Sequence, residues 1–355
     1  MVTVSGWEDW ADRWSLAPDQ PATALTIDAH THVKVPAAAE VAMTHFSPEL
    51  DPRSLYSSEE TNALNRAYHR SVDDRFTDPD TRLKDMDTMG VDVQAIALAP
   101  PQYFYWLDGQ QALEVAQMQN DQIAAIAQGR PDRFRGIGTL PLAHPEAAVA
   151  EAERLHRNLG MRGIEIGTDV VGTDLDDQKF EPVWEALADL GIVVILHPAG
   201  FPEGERLTDY YLVNVIGLPL SSTLAVTRLI LGGVFERHPG LRMLVVHGGG
   251  YLPFYSARTD HAFRHRPEMR KHIDRLPSEY LANIWFDSMV FSPDLLERLV
   301  RAYGADRVLM GTDYPFDMGQ GNPIDFIRSA GLSDAEHAMI LGENANRLFG
   351  FDLRQ

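Results

Sequence analysis

The chain has 355 residues, a formal net charge of −20, 45% hydrophobic residues and no cysteine. That length suits one elaborated domain with a large core, and the lack of cysteine excludes disulfides and thiolate metal sites, so any bound metal takes nitrogen and oxygen ligands. Such an acidic surface repels nucleic acid and anionic lipid, and a carboxylate substrate would need a local arginine or lysine to overcome that field.

Residues 1–23 read as an N-terminal extension that packs on the outside or on a partner subunit. Their acidic, aromatic start lacks the basic segment and apolar run of a secretory signal, and no uninterrupted apolar run approaches the roughly 20 residues needed to span a bilayer. The cytoplasm is the expected location. A first apolar strand at 24–30 leads into a long, polar, irregular stretch at 33–76, expected to be an active-site loop. A helix at 80–89 follows, with Pro79 near its start and Gly90 at its end. Further strands are expected at 93–99, 135–140, 162–166, 192–197, 241–247, 284–287 and 308–313. Helices are expected at 145–159, 180–190, 220–235, 293–303 and 334–348. Eight β-rich segments alternating with helices predict an α/β protein, a (β/α)8 TIM barrel forming one domain over 1–355.

Candidate ligands stand at strand ends. The first strand runs into IDAHTHV, where His30 and His32 lie two apart and so share a face of an extended chain. VVILHP places His197, MLVVHGGG places His247 and RVLMGTDYP places Asp313 after buried apolar runs. In a barrel the carboxyl ends of the strands converge on one mouth, where catalytic residues collect. Imidazole and carboxylate donors of this kind suit zinc, with manganese as an alternative. His45 and His69 lie in the 33–76 stretch, within reach of that mouth, and Glu165 ends the fourth strand, where some two-metal barrels place a bridging ligand. One metal is the reading adopted.

These pieces together resemble the amidohydrolase superfamily. HGGGYLPFYSARTDHAFRHRP, DSMVFSPDLLERLV, DRVLMGTDYPFDMG and RLKDMDTMGVDVQAIALAP look like its branch of 2-amino-3-carboxymuconate 6-semialdehyde decarboxylases, from about Asp28 to Gly350. The resemblance implies a metal-dependent, O2-independent decarboxylase of a small unsaturated or aromatic acid, with one divalent cation and no organic cofactor. A hydrolase or hydratase acting on a lactone, amide or C–C bond is the alternative. By resemblance the metal ligands are His30, His32, His197 and Asp313, and His247 and Asp313 carry the catalysis, His247 as acid/base. Arg258, reaching over from a neighbouring subunit, and Arg70 would bind substrate carboxylate. A homodimer with Arg258 near its interface is therefore expected. Where the branch commonly shows His-Pro-Trp, this chain has His197-Pro198-Ala199, and its long first loop offers no match for the branch's lysine.

Overall fold

The computed structural model describes residues 8–46 and 56–353. Residues 1–7 of the expected extension and 47–55 of the expected loop lie outside the described residues. Eight parallel strands appear in the expected order: β1 Ile27–Val33, β2 Val93–Leu98, β3 Phe134–Gly136, β4 Gly163–Ile166, β5 Val193–Leu196, β6 Arg242–Val245, β7 Ile284–Asp287 and β8 Val308–Leu309. They form two arcs, β1-β2-β3 and β4 to β8, closed into a barrel by bridges between Gly138 and Ile164 and between Thr31 and Tyr314.

The barrel floor is apolar. Ile27, Ala29, Val93, Ala95, Ala97, Ile137, Val193, Ile195, Leu244, Val246 and Leu309 fill its interior, and burying each branched side chain contributes about 1.5–3 kcal/mol relative to exposure. The opposite strand faces hold a larger cluster against the surrounding helices. This floor closes the lower end, so the polar residues of the upper strand ends face one mouth.

Strand β1 carries a detail that simple alternation does not anticipate. Its pairing with β2 slips from Asp28 opposite Gln94 to Thr31 opposite Ile96, so β1 holds one extra residue there. Strict alternation from the inward Ile27 would turn His30 and His32 outward. The bulge restores them to the interior: His32 lies opposite the inward Ala97, while Thr31 points outward to the buried Arg82.

The described part of the stretch 33–76 is largely helical, with helices at Pro36–Met43, Glu59–Ser71 and Asp73–Thr77. Pro36 starts the first, and the Ser58 side chain caps the second by accepting from the Thr61 amide at 3.1 Å. The longest described helix, Gly109–Gly129, was not expected. It buries Ala112, Val115, Ala116, Gln119, Asn120, Ile123 and Ala124, a face of small and amide side chains with weak apolar contrast. Helix Leu252–His265 is also an addition, and buries only Leu252, Pro253 and Phe263.

The described part of the N-terminal segment packs against the loop that follows β8. Within the short helix Glu8–Ser15, Trp14 is fully buried, its ring 4.8 Å from that of Tyr314. Arg13 donates to the carbonyls of Asp317 and Gly319. This segment therefore braces the loop that follows β8. Among the described residues one helical run, Val213–Leu231, is long and apolar enough to cross a bilayer, and Ser222, Ala225, Val226, Leu229 and Ile230 on it are buried within the protein.

Candidate metal centre

Three strand ends deliver the four donors. His30 and His32 come from β1, His197 follows β5 and Asp313 lies beyond β8, and one donor atom from each lies within 4.8 Å of the others. All four residues are buried. Asp313 Oδ1 is the focus, 3.4 Å from His30 Nε2, 3.0 Å from His32 Nε2 and 3.9 Å from His197 Nε2. Donors about 2.0–2.1 Å from a tetrahedral zinc would stand about 3.3 Å apart. His30 Nε2 and His197 Nε2 are buried without a hydrogen-bond partner among the described residues. Buried polar atoms are seldom left so. The donor set and its spacing fit a divalent cation.

The backbone is shaped to bring these groups in. Asp313 has φ +59°, and its amide donates to the His30 carbonyl at 2.9 Å, tying the end of β8 to β1. Strand β8 was expected to reach Asp313; pairing with β7 ends at Leu309, and the chain continues through irregular bonds to β1. His247 likewise lies past the end of β6, in a turn with φ +55°, followed by Gly248 at +60°. A Cβ on Gly248 would sit 2.3 Å from Val290 Cγ1, so glycine is needed there for space as well as conformation.

The outer ring nitrogens are held in turn. His30 Nδ1 bonds Asp287 Oδ2 at 2.7 Å, and His197 Nδ1 bonds the Pro198 carbonyl at 2.8 Å. These bonds point each Nε2 into the site. Burial lowers the pKa of His30 and His197, which favours the neutral imidazoles a metal requires. Burial alone would raise Asp313, but the surrounding imidazoles outweigh it and hold the carboxyl well below its usual range. His247 packs beside the four-donor group without belonging to it, and its Nε2 lies 3.5 Å from the other carboxylate oxygen, Asp313 Oδ2. Burial lowers its pKa, but Asp313, Asp287 and Glu165 outweigh that and the net shift is upward.

Above the site opens a cavity of about 650 Å³ lined by His197, His247 and Asp313. Val213, Leu218, Phe254, Phe291 and Leu295 supply much of its apolar wall, and Asn62, Asn65 and His69 face it from helix Glu59–Ser71. His45 is elsewhere, exposed and bonded to Gln111. Within one chain neither expected arginine lines this cavity. Arg70 is exposed, because it lies one residue, about 100° of helix, round from His69. Arg258 is exposed on helix Leu252–His265.

Sequence reasoning passed over Asp287, which accepts from His30 and from the amides of His247 and Gly248 at 3.0 and 2.6 Å. It ends β7 just as the other donors end their strands, so the same signal would have found it. Asp317, which lines the cavity and accepts from the Tyr211 hydroxyl at 2.9 Å, had no comparable signal.

Comparison with known proteins agrees with this geometry. Residues 27–351 match the family model described as amidohydrolase. The chain is 34% identical over 340 residues to a 2-amino-3-carboxymuconate-6-semialdehyde decarboxylase of Dictyostelium discoideum, covering 92% of both chains. It is 29% identical to a gamma-resorcylate decarboxylase of Rhizobium sp. (strain MTP-10005), over 80% of this chain and 91% of that one. Its fold matches the crystal structure of 5-carboxyvanillate decarboxylase from Sphingomonas paucimobilis with a TM-score of 0.82 at 26% identity, covering 92% of this chain and 99% of the other. With its barrel, its strand-end donors and these relatives taken together, the chain belongs to the amidohydrolase family.

Proposed function

We propose that this protein is a metal-dependent decarboxylase of a small unsaturated or aromatic carboxylic acid. The observation that carries the reading is the convergence of three Nε2 atoms on Asp313 Oδ1 at the base of the apolar cavity, with His247 beside them. The three decarboxylases similar to this chain support it. His30, His32, His197 and Asp313 would hold the cation, zinc in the first place and manganese as the alternative. When bound, the cation supplies Lewis-acid polarisation of a substrate oxygen.

The chain's own residues do the rest. The apolar wall accepts a flat ring and excludes water from the reacting carbon. As the C–C bond to the carboxylate breaks, its electron pair stays on the ring carbon and CO2 leaves. His247 Nε2 delivers a proton to that carbon and is reprotonated from solvent. Asp313 Oδ2 facing His247 stabilises the charged imidazole between these steps.

A homodimer completes this reading. Leu220, Leu224, Tyr255, Phe291 and Leu295 are exposed large hydrophobics, and Phe291 and Leu295 also line the cavity. On helix Leu252–His265 and the residue before it, Tyr251, Phe254, Tyr255 and Arg258 share one face at i, i+3, i+4 and i+7 spacing. Pairing of two such faces would bury the patch and carry Arg258 toward the partner's cavity. There its guanidinium would clamp a carboxylate and supply the positive charge that the acidic surface lacks. A cytoplasmic location goes with this reading.

The test is to supply carboxyl-labelled aromatic and dienoic acids in D2O and follow labelled CO2 together with deuterium at the vacated carbon. Release of both supports the proposal. A product that keeps its carboxylate and gains oxygen from H2(18O) replaces it with the hydrolase or hydratase reading.

A further inference from the structure

We propose that Glu165 is a positioning residue for the metal ligand His32: its carboxylate takes the outer N–H of His32 when a cation occupies the inner nitrogen. The inference rests on the metal-centre reading above and assigns a task to a buried acid that the decarboxylation scheme does not use.

The three ligand imidazoles are not held equally. Each presents Nε2 to the site, so each has Nδ1 on the far side of the ring. His30 and His197 have close outer partners, at 2.7 and 2.8 Å. His32 does not. Its Nδ1 lies 3.4 Å from the Leu98 carbonyl and 3.7 Å from Glu165 Oε1, at or beyond the edge of hydrogen bonding.

Glu165 is fully buried on the inward face of β4. Its Oε1 accepts from the Tyr103 hydroxyl at 2.9 Å, and Tyr103 stacks on Tyr105, whose hydroxyl accepts from the Gly167 amide at 3.0 Å. One carboxylate oxygen is thus held by a tyrosine whose ring is itself stacked on a second. Its Oε2 is buried and has no hydrogen-bond partner among the described residues. Glutamine would serve the bond to Tyr103 equally well, so that bond does not explain a carboxylate here. A cation on Nε2 makes the opposite N–H a stronger donor, and a carboxylate a few tenths of an ångström too far becomes its natural acceptor. Two of the three histidine ligands would then be backed by acids, His30 by Asp287 and His32 by Glu165.

The experiment compares wild type and Glu165→Gln for Zn2+ and Mn2+ dissociation constants, by competition with a chromophoric chelator. The visible absorption spectrum of the Co2+-substituted protein and the unfolding midpoint of the metal-free protein are measured alongside. The expected result is a dissociation constant raised ~10–100-fold in the variant, with an altered Co2+ spectrum and an unchanged metal-free midpoint. A folded variant that binds both ions as tightly as wild type, with the same Co2+ spectrum, overturns the proposal. Should Glu165→Gln fail to fold, Glu165→Asp decides: it keeps the charge but withdraws it from His32, so weakened binding supports the proposal and unchanged binding overturns it. Wild-type protein that takes up no cation rejects the metal-centre reading itself, a result distinct from equal affinity in the two proteins.

Discussion

Replacing His247 by asparagine separates proton transfer from metal binding. Asparagine tolerates the positive φ of +55° that this position requires, so the turn should survive. Its amide can still reach toward Asp313 Oδ2, now 3.5 Å from the imidazole, but it cannot exchange a proton near neutral pH. Loss of a positioned acid/base costs ~10²–10⁴ in rate, or about 3–6 kcal/mol of barrier at about 1.4 kcal/mol per tenfold. The effect on the metal should be far smaller. His247 is outside the group of four, and one altered hydrogen bond to a ligand, worth about 1 kcal/mol, corresponds to about a fivefold change in dissociation constant. The assay is steady-state kcat/KM beside metal content measured by atomic emission after gel filtration. A variant that loses metal in proportion to activity would show His247 to be a ligand. One that retains wild-type turnover would remove it from the proton path.

Three further expectations concern the assembly, the N-terminal brace and acid stability. If Arg258 serves the partner's site, mixing inactive Arg258→Ala with inactive His247→Asn protomers restores turnover, because one site in each mixed dimer has both residues; no recovery after verified subunit exchange rejects the shared site. Trp14→Ala removes a fully buried ring beside Tyr314 and should cost about 3–5 kcal/mol in denaturant unfolding, weakening metal retention through the loop after β8; a loss below about 1 kcal/mol would show that the segment does not brace it. The Arg237 guanidinium, opposed by partial burial and helped by His238, lowers the Glu181 pKa from 4.5 to about 2. A depressed carboxyl contributes stability that is present above its unfolded pKa and lost as pH falls toward 2. Glu181→Gln should therefore destabilise by about 1 kcal/mol at pH 7, a modest figure because the pair is part-exposed, and lose less than wild type between pH 4.5 and 2. Parallel pH–stability curves for the two proteins would contradict this.

Much of the barrel was legible because parallel strands buried on both faces read as continuous apolar runs, and their order in the chain is their order in the barrel. The ligands were legible for the same reason: His197 and Asp313 follow such runs at the point where a barrel gathers its chemistry. What escaped has physical causes. The inward turn of His30 depends on a bulge that no i, i+2 count reveals, because the extra residue is visible only in the pairing with β2. Gly109–Gly129 buries mainly alanines together with Gln119 and Asn120, whose contrast with solvent-facing residues is slight, and helix Glu59–Ser71 looks like loop because its cavity-facing side chains include Asn62, Asn65 and His69. Arg70 aligns on a counted offset but stands on the wrong side of its helix, since counting along a chain does not fix rotation about a helical axis.

The most direct test of the account is the metal content of the purified protein before and after dialysis against a chelator, measured with turnover on the same samples. One divalent ion per chain, activity lost with the ion and restored by Zn2+ or Mn2+, and Asp313→Ala unable to retain it are the predicted results. Full turnover in protein verified to contain no metal would contradict the account.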